Sequence, residues 1–368
     1  MERLRLPGRP QAIGMDMDSG ALKAVQVGRT KAGFVLRHVG YHRLAPGAIE
    51  AGEVADHDLL AAEVKNFWGA HSFKGRDVYL GVANQEMVVR VLSFPRMQPS
   101  DLRSAISFEA AEHVPMPLEE AVLDHVVLGA DPADPDSDRV LLVAARREMI
   151  SRYASAVRVA GLRPVGVDFK PLALSRTTLP RDAALQEGAA LLVDVGTEMS
   201  CVAVCEEDGP VLAGLVPLGS QDFAQEISRL ASIPEDEAEE QLMNPGIRLG
   251  FEPVEEPEGE QDEAGRALLY DIRRALEGVV GRLAGEVQRS IEYYYSQPGS
   301  REISGMFVSG EGAVVPGLAE YMGEVLGISS RLGRPLERFA ANESNVPDGQ
   351  LEVMEPVLAV AAGLALEE

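Results

Sequence analysis

IGMDMDSGALKAV (residues 13–25) and LLVDVGTEMSCVAV (residues 191–204) are the two stretches that decide the fold. Each reads as an apolar strand carrying an aspartate near its end (Asp16, Asp194), a turn of small residues, and a returning strand. A third strand follows a glycine in both cases, Gly33-Phe34-Val35-Leu36 and Gly209-Pro210-Val211-Leu212. The copies lie about half a chain apart, so the pattern predicts duplicated α/β halves. The first copy also poses a chemical question. A small-residue turn after a buried strand brings backbone N–H groups toward an anion, yet this one carries two carboxylates, Asp16 and Asp18.

The chain has 368 residues, 46% hydrophobic and 25% charged, which suits a soluble globular protein of two domains or one two-lobed body. A net charge of -24 argues against a nucleic-acid or anionic-lipid surface over most of the chain. Lysine is scarce: Lys23, Lys31, Lys65, Lys74 and Lys170 are the whole set. MERLRLPGRPQ at the start is basic and broken by two prolines, so it lacks a signal-peptide core. The longest apolar stretch, Val357 to Leu366, is too short to span a bilayer, and a cytoplasmic protein is expected. Cys201 and Cys205 stand four apart on one face of a predicted strand, where packing as small apolar residues is the expectation. None of His38, His42, His57, His71, His113 and His125 forms a ligand set.

Between the two copies the texture changes. Val78 to Val82 and Met87 to Phe94 read as strands, the second closed by Pro95. Ser100 is placed to cap a helix whose stripe runs through Leu102, Ile106, Ala110 and Val114, ended by Pro115 and Pro117. Phe108 falls off that stripe, and a second packed face is expected for it over an exposed partner contact. Ala121 to Leu128 and Val140 to Ala145 read as strands around a mobile acidic loop, DPADPDSD. A helix from Arg147 to Ala160 stops at Gly161. In the second half, residues 252–263 are too acidic to bury and predict a solvated loop. Ala267 to Tyr295 has helical period through Leu268, Ile272, Leu276, Val279, Leu283, Val287 and Ile291. A final strand, Gly305 to Val308, leads into SGEGAVVPG (309–317) and a helix through Leu318, Tyr321, Met322 and Leu326.

Three turns therefore share a character: 16–20, 194–197 and 309–313. Glycine and serine there let backbone N–H groups approach phosphate oxygens, and an aspartate at a hairpin base can hold Mg²⁺ through water. Two such hairpins clamping one triphosphate make a coherent nucleotide site. No GxxxxGK[ST] occurs, which excludes a P-loop. Gly310, Gly312 and Gly317 have the wrong spacing for a dinucleotide fingerprint.

The three turns resemble the two phosphate loops and the adenosine loop of the actin-like ATPase superfamily. VANQEMVVRVLSFPRMQPSDLRSAISFEAAEHVPMPLEEAVLDHVVL (82–128) is similar to the extra subdomain of the PilM family of type IV pilus assembly proteins, relatives of the cell-division protein FtsA. The likeness continues through VLLVAARREMISRYASAVRVAGLRPVGVDFKPLALSR (140–176), VDVGTEMSCVAV (193–204), RSIEYYYSQ (289–297) and EPVLAVAAGLAL (355–366), nearly the whole chain from about residue 11.

The resemblance implies a two-lobed actin-like α/β fold with an FtsA/PilM-type extra α+β subdomain. Its boundaries would be a tail at 1–10, a first lobe at 11–188 with the extra subdomain at about 83–165, and a second lobe at 189–368 with a helical insertion at about 225–300. It places Asp16, Ser19, Gly20 and Lys23 on the first phosphate loop, Asp194, Gly196 and Thr197 on the second, and Gly310, Gly312 and Ala313 on the adenosine loop. ATP would be the ligand, with Asp16 and Asp194 on the Mg²⁺ side through water.

Three departures imply weakened, altered or abandoned nucleotide binding. Asp18 and Glu311 stand at family glycines, and the lysine of an AExLK-like helix is missing from Ala238-Glu239-Glu240-Gln241-Leu242. A carboxylate about 4 Å from a phosphate charge costs on the order of 4 kcal/mol at an effective dielectric of about 20. The implied role is a cytoplasmic scaffold, at most a weak ATPase. It would bind the N-terminal cytoplasmic tail of a PilN-like inner-membrane protein and link it to the pilus motor ATPases, recruited to the inner face of the membrane through that partner. Alternatives are an actin-fold small-molecule kinase, for which no general base is recognisable, and an FtsA-like division protein, whose basic amphipathic helix AGLALEE does not supply.

Overall fold

Glycine at position 14 decides how the first sheet is covered. An added Cβ there would lie 2.1 Å from the Ala361 carbonyl oxygen, so only a bare backbone lets the C-terminal helix lie this close. That helix, α10 (Ala359–Ala365), is buried along its whole length. The apolar run at the end of the sequence is thus a core helix, and among the described residues no helix is long and apolar enough to cross a membrane. The computed structural model describes residues 12–179, 188–207, 209–244, 247–250, 263–344 and 346–367. The tail at 1–10 and the acidic stretch 252–262 lie outside them. The chain divides into two compact units, one of Met1–Val82, Met149–Thr177 and Pro335–Glu368, the other of Ala83–Glu148 and Thr178–Arg334.

In the first unit, strands β1 (Ile13–Met17), β2 (Ala21–Thr30) and β3 (Gly33–Arg43) form an antiparallel meander. A two-residue ladder, β4 (Ile49–Glu50) with β5 (Glu53–Val54), leads into α1 (His57–Ala70), whose first turn is capped by the Asp56 carboxylate. β6 (Asp77–Val82) then returns parallel to β1. Farther along the chain, β10 (Arg163–Phe169) adds parallel to β6, and β16 (Ala341–Asn342) parallel to β3. Among the described residues the sheet order is β10-β6-β1-β2-β3-β16. α3 (Arg147–Val159), α4 (Lys170–Thr178), α9 (Asp348–Met354) and α10 complete this unit's helices. α3 stops just before Gly161, as its sequence predicts.

The second unit repeats the plan. β11 (Ala189–Val195), β12 (Ser200–Glu206) and β13 (Gly209–Val216) form a meander, and β14 (Ile303–Ser309) lies parallel to β11. The order β13-β12-β11-β14-β15, with β15 at Ser330–Leu332, mirrors β3-β2-β1-β6-β10, so the duplication read from the two hairpins is the topology observed. β14 is not the last strand: β15 (Ser330–Leu332) and β16 follow it. Helices α5 (Ser220–Ala231), α6 (Glu235–Gln241), α7 (Glu263–Tyr295) and α8 (Leu318–Leu326) belong here. Along α7 the predicted stripe of Ile272, Leu276, Val279, Leu283, Val287 and Ile291 is buried, each side chain contributing about 1.5–3 kcal/mol.

The same unit holds a three-stranded antiparallel sheet, order β7-β9-β8, built from β7 (Val88–Pro95), β8 (Ala121–Asp131) and β9 (Asp134–Arg146). α2 (Pro99–His113) packs on it through Ile106 and Ala110. Three expectations change here. The acidic stretch 131–138 is a hairpin, because β8 and β9 pair almost to Asp131 and Asp134, with Pro132 and Ala133 turning between them. Ser100 lies inside the first turn of α2 behind Pro99, so it does not cap the helix. Phe108, expected on a packed face, is 77% exposed, since the sheet meets only the Ile106/Ala110 side.

Candidate functional site

The first hairpin is closed by its own charges. β1 ends at Met17 and β2 starts at Ala21, so Asp18, Ser19 and Gly20 make the turn. The Asp18 N–H donates to the Ala21 carbonyl at 3.1 Å. Its carboxylate oxygen Oδ1 accepts the N–H groups of Gly20 and Ala21, both at 2.9 Å. This local side-chain-to-backbone closure is an aspartate's usual competition for turn donors. Ser19 and Gly20 are half-buried at the apex.

Antiparallel register sets Asp16 directly opposite Lys23, which puts both side chains on one face. The Lys23 ammonium lies 3.1 Å from Asp16 Oδ2 and 2.7 Å from Asp18 Oδ2. A fourth group comes from far along the chain. β1, β6 and β10 run parallel, so their carboxyl ends share one edge. Lys170, immediately after β10, reaches Asp16 Oδ1 at 2.8 Å and donates to the Met17 carbonyl at 2.9 Å. Asp16 and Lys23 are each 3% exposed. The buried Asp16 and Lys23, with the largely buried Asp18 and Lys170, balance to zero charge, the condition under which such burial is tolerable.

Titration follows from this geometry. Burial pushes the Asp18 carboxyl up, but the Lys23 and Lys170 ammoniums and the hydrogen bonds from Lys23 and Gly20 outweigh it and hold it at about 2. Burial pulls the Lys170 ammonium down, and Asp16 with Asp18 more than offsets this, so it is raised. Asp18 and Lys170 therefore stay charged at neutral pH in this arrangement.

In the second unit the turn after β11 comprises Gly196, Thr197, Glu198 and Met199, with the Gly196 N–H donating to the Met199 carbonyl at 3.1 Å. The N-terminal turn of α5 sits against it, Ser220 and Gln221 donating to the carbonyls of Gly196 and Thr197 at 2.9 Å each. Parallel register places Asp194 beside Ser309, whose hydroxyl donates to Asp194 Oδ1 at 2.8 Å. The chain then turns at Gly310 with φ of 89°, where a Cβ would meet the Val195 carbonyl oxygen at 2.5 Å. Gly312 and Ala313 are buried behind it and Glu311 is half-buried. Asp194, Gly196, Thr197, Gly310, Gly312 and Ala313 are thus brought to one end of β11 and β14. The AExLK-like segment falls on α6, where Ala238 and Leu242 are built into the core.

A nucleotide with Mg²⁺ would meet these two places differently. In the second unit Gly196, Gly310 and Gly312 lie against the chain's own Met199, Val195 and Phe223, where an added Cβ would clash, and the turn closes on the Met199 carbonyl where the first closes on the Asp18 carboxylate. The first hairpin does not fit a phosphate as it stands. Its two turn N–H groups and its lysine already hold Asp18, and Asp16 is taken by two ammoniums. Cys201 and Cys205 are both buried on β12. Among the described residues, no group of three His, Cys, Asp or Glu side chains is placed to hold a metal. Lys170 was missed in reading the sequence; its signal was its position just past an apolar strand in a chain with five lysines.

Comparison with known proteins agrees with the duplicated architecture. The sequence model of the cell division protein FtsA family matches residues 191–363. The cell division protein FtsA of Borreliella burgdorferi is 22% identical over 311 residues, 77% of this chain and 70% of that protein. Among solved structures, the PilM-PilN type IV pilus biogenesis complex aligns with a TM-score of 0.82 and 26% identity, covering 98% of each chain. MreB 5 of Spiroplasma citri bound to AMPPNP aligns with a TM-score of 0.57 at 11% identity, over 98% of this chain and 96% of that one. The fold is that of the actin-like ATPases. The model of the type IV pilus assembly protein PilM family matches residues 14–248, and the chain belongs to that family.

Proposed function

We propose that this chain acts as a binding and assembly protein of a type IV pilus, taking the N-terminal cytoplasmic peptide of a PilN-like inner-membrane protein. Through that partner it is recruited to the inner face of the cytoplasmic membrane and linked to the pilus motor ATPases. The observation that carries this reading is the alignment over 98% of both chains with the PilM-PilN complex at a TM-score of 0.82. The complete β7-β9-β8 subdomain with its packed helix supports it further. Holding an extended peptide takes backbone edge groups and apolar pockets, and no hydrolytic step. ATP with Mg²⁺ enters this reading as a structural ligand of the second-unit turns at 194–197 and 309–313.

Calorimetric titration with a synthetic peptide of the PilN-like protein's cytoplasmic N-terminus, from the same source, tests it. Saturable one-to-one binding with a Kd in the micromolar range or tighter is expected, on the order of −8 kcal/mol. A peptide that binds no better than its scrambled sequence, with or without MgATP, refutes it. An FtsA-like division role is the second reading, favoured by the FtsA match over residues 191–363; direct flotation of the purified chain with anionic liposomes would support it instead.

A further inference from the structure

We infer that the Asp18 carboxylate is a built-in occupant of the phosphate position of its own hairpin, so that a nucleotide engages this loop only by displacing it. The inference rests on reading residues 16–23 as the first phosphate loop of an actin-like fold. Three donors converge on this one carboxylate: the Gly20 N–H and the Ala21 N–H at 2.9 Å each, and the Lys23 ammonium at 2.7 Å. Two consecutive turn amides and a lysine are the donor set that an incoming phosphate oxygen would use. An ionised carboxylate supplies the same acceptor chemistry from within the chain.

Charge balance makes the occupant effective. With Asp18 present, the cluster of Asp16, Asp18, Lys23 and Lys170 sums to zero and offers an anion no net attraction. With glycine there, the same cluster would carry one net positive charge and two freed amides. Asparagine separates the two contributions. It removes the charge while its side-chain oxygen still accepts the amides. Affinity for a triphosphate should therefore rise in the order wild type, Asp18→Asn, Asp18→Gly. The occupant is not released by mild acid, because the groups facing it are Lys23, Lys170 and Asp16, with Tyr153 behind them, and the lysines keep it ionised.

The test uses the full chain and its two variants, each verified as folded by its thermal melt. MgATP is titrated calorimetrically, and amide hydrogen exchange at Gly20 and Ala21 is followed with and without it. Asp18→Gly should bind MgATP at least about tenfold more tightly than wild type, since one charge a few ångströms from phosphate spans up to about a thousandfold. Its Gly20 and Ala21 amides should exchange faster than in wild type and be slowed again by MgATP. Equal affinity in all three proteins overturns the inference, as does a folded Asp18→Gly protein that binds no MgATP. Unchanged exchange at Gly20 and Ala21 in Asp18→Gly overturns it as well. The PilN-like peptide titrated into the same samples keeps the two readings apart, because peptide binding can stand while the occupant fails, and the reverse.

Discussion

Replacing Lys170 with methionine should destabilise the first unit by about 3 kcal/mol. The side chain is 11% exposed and its ammonium lies 2.8 Å from Asp16 Oδ1. Removing it leaves two carboxylates against Lys23 alone, one uncompensated negative charge in a buried site. Breaking a buried pair by deleting one partner costs about 3–5 kcal/mol, and the lower end applies because Lys23 still touches both carboxylates. Methionine keeps the aliphatic length, so the loss is electrostatic more than volumetric. Urea unfolding followed by tryptophan fluorescence is the assay. The single tryptophan, Trp68, stacks on Phe73 at 4.9 Å within the same unit and so reports its unfolding without requiring the whole chain to be two-state. At a slope of about 2 kcal/mol per molar urea the midpoint falls by roughly 1.5 M. Adding Asp18→Asn to Lys170→Met restores neutrality, leaving Asp16 with Lys23, and should recover about 1–3 kcal/mol relative to the sum of the single changes. A single-variant cost below about 1 kcal/mol, or strict additivity in the double variant, would refute the charge-balanced cluster.

Glu206 is 2% exposed and accepts from Arg139 and the Tyr294 hydroxyl at 3.0 Å each, so Glu206→Ala should cost the second unit about 3 kcal/mol or more, read by circular dichroism in urea; a loss under about 1 kcal/mol would show the network is idle. Gly310→Ala combines a positive φ with a 2.5 Å approach to the Val195 carbonyl and should cost about 2 kcal/mol or more; a neutral melt would contradict the geometry. Phe108→Ser should change stability by no more than about 0.5 kcal/mol, whereas a packed ring would cost several times that. The Asp18 carboxyl is held at about 2, below its ordinary value, so its stabilising contribution is full above about pH 4 and is lost as pH falls toward 2. Asp18→Asn should flatten the acid limb of the stability–pH curve by up to about 2 kcal/mol; superimposable acid limbs would sink this.

How far the sequence spoke depended on the range of the forces involved. The two hairpins were legible because strand alternation and turn chemistry are local, and β1-β2-β3 and β11-β12-β13 formed where those signals stood. The stripe of α7 was legible for the same reason. The acidic stretch at 131–138 was misread because composition argued for solvation, while β7, distant in sequence, and β8, which runs straight into it, supplied the ladder that ordered it. Phe108 was misread because periodicity states which residues share a face and not whether anything covers that face. Asp18 is the sharpest case. From sequence it was a charge standing where the family has glycine, and Coulomb's law alone said it should repel a phosphate. What the sequence could not express is that Lys23, on the next strand across the turn, and Lys170, more than a hundred residues on, would neutralise it. Repulsion therefore gives way to occupancy: a neutral, hydrogen-bonded hairpin withholds its donors from a nucleotide without pushing the nucleotide away. The two descriptions separate in experiment, because repulsion of an exposed charge fades with added salt, whereas displacement of a largely buried, directly bonded carboxylate responds to salt much less.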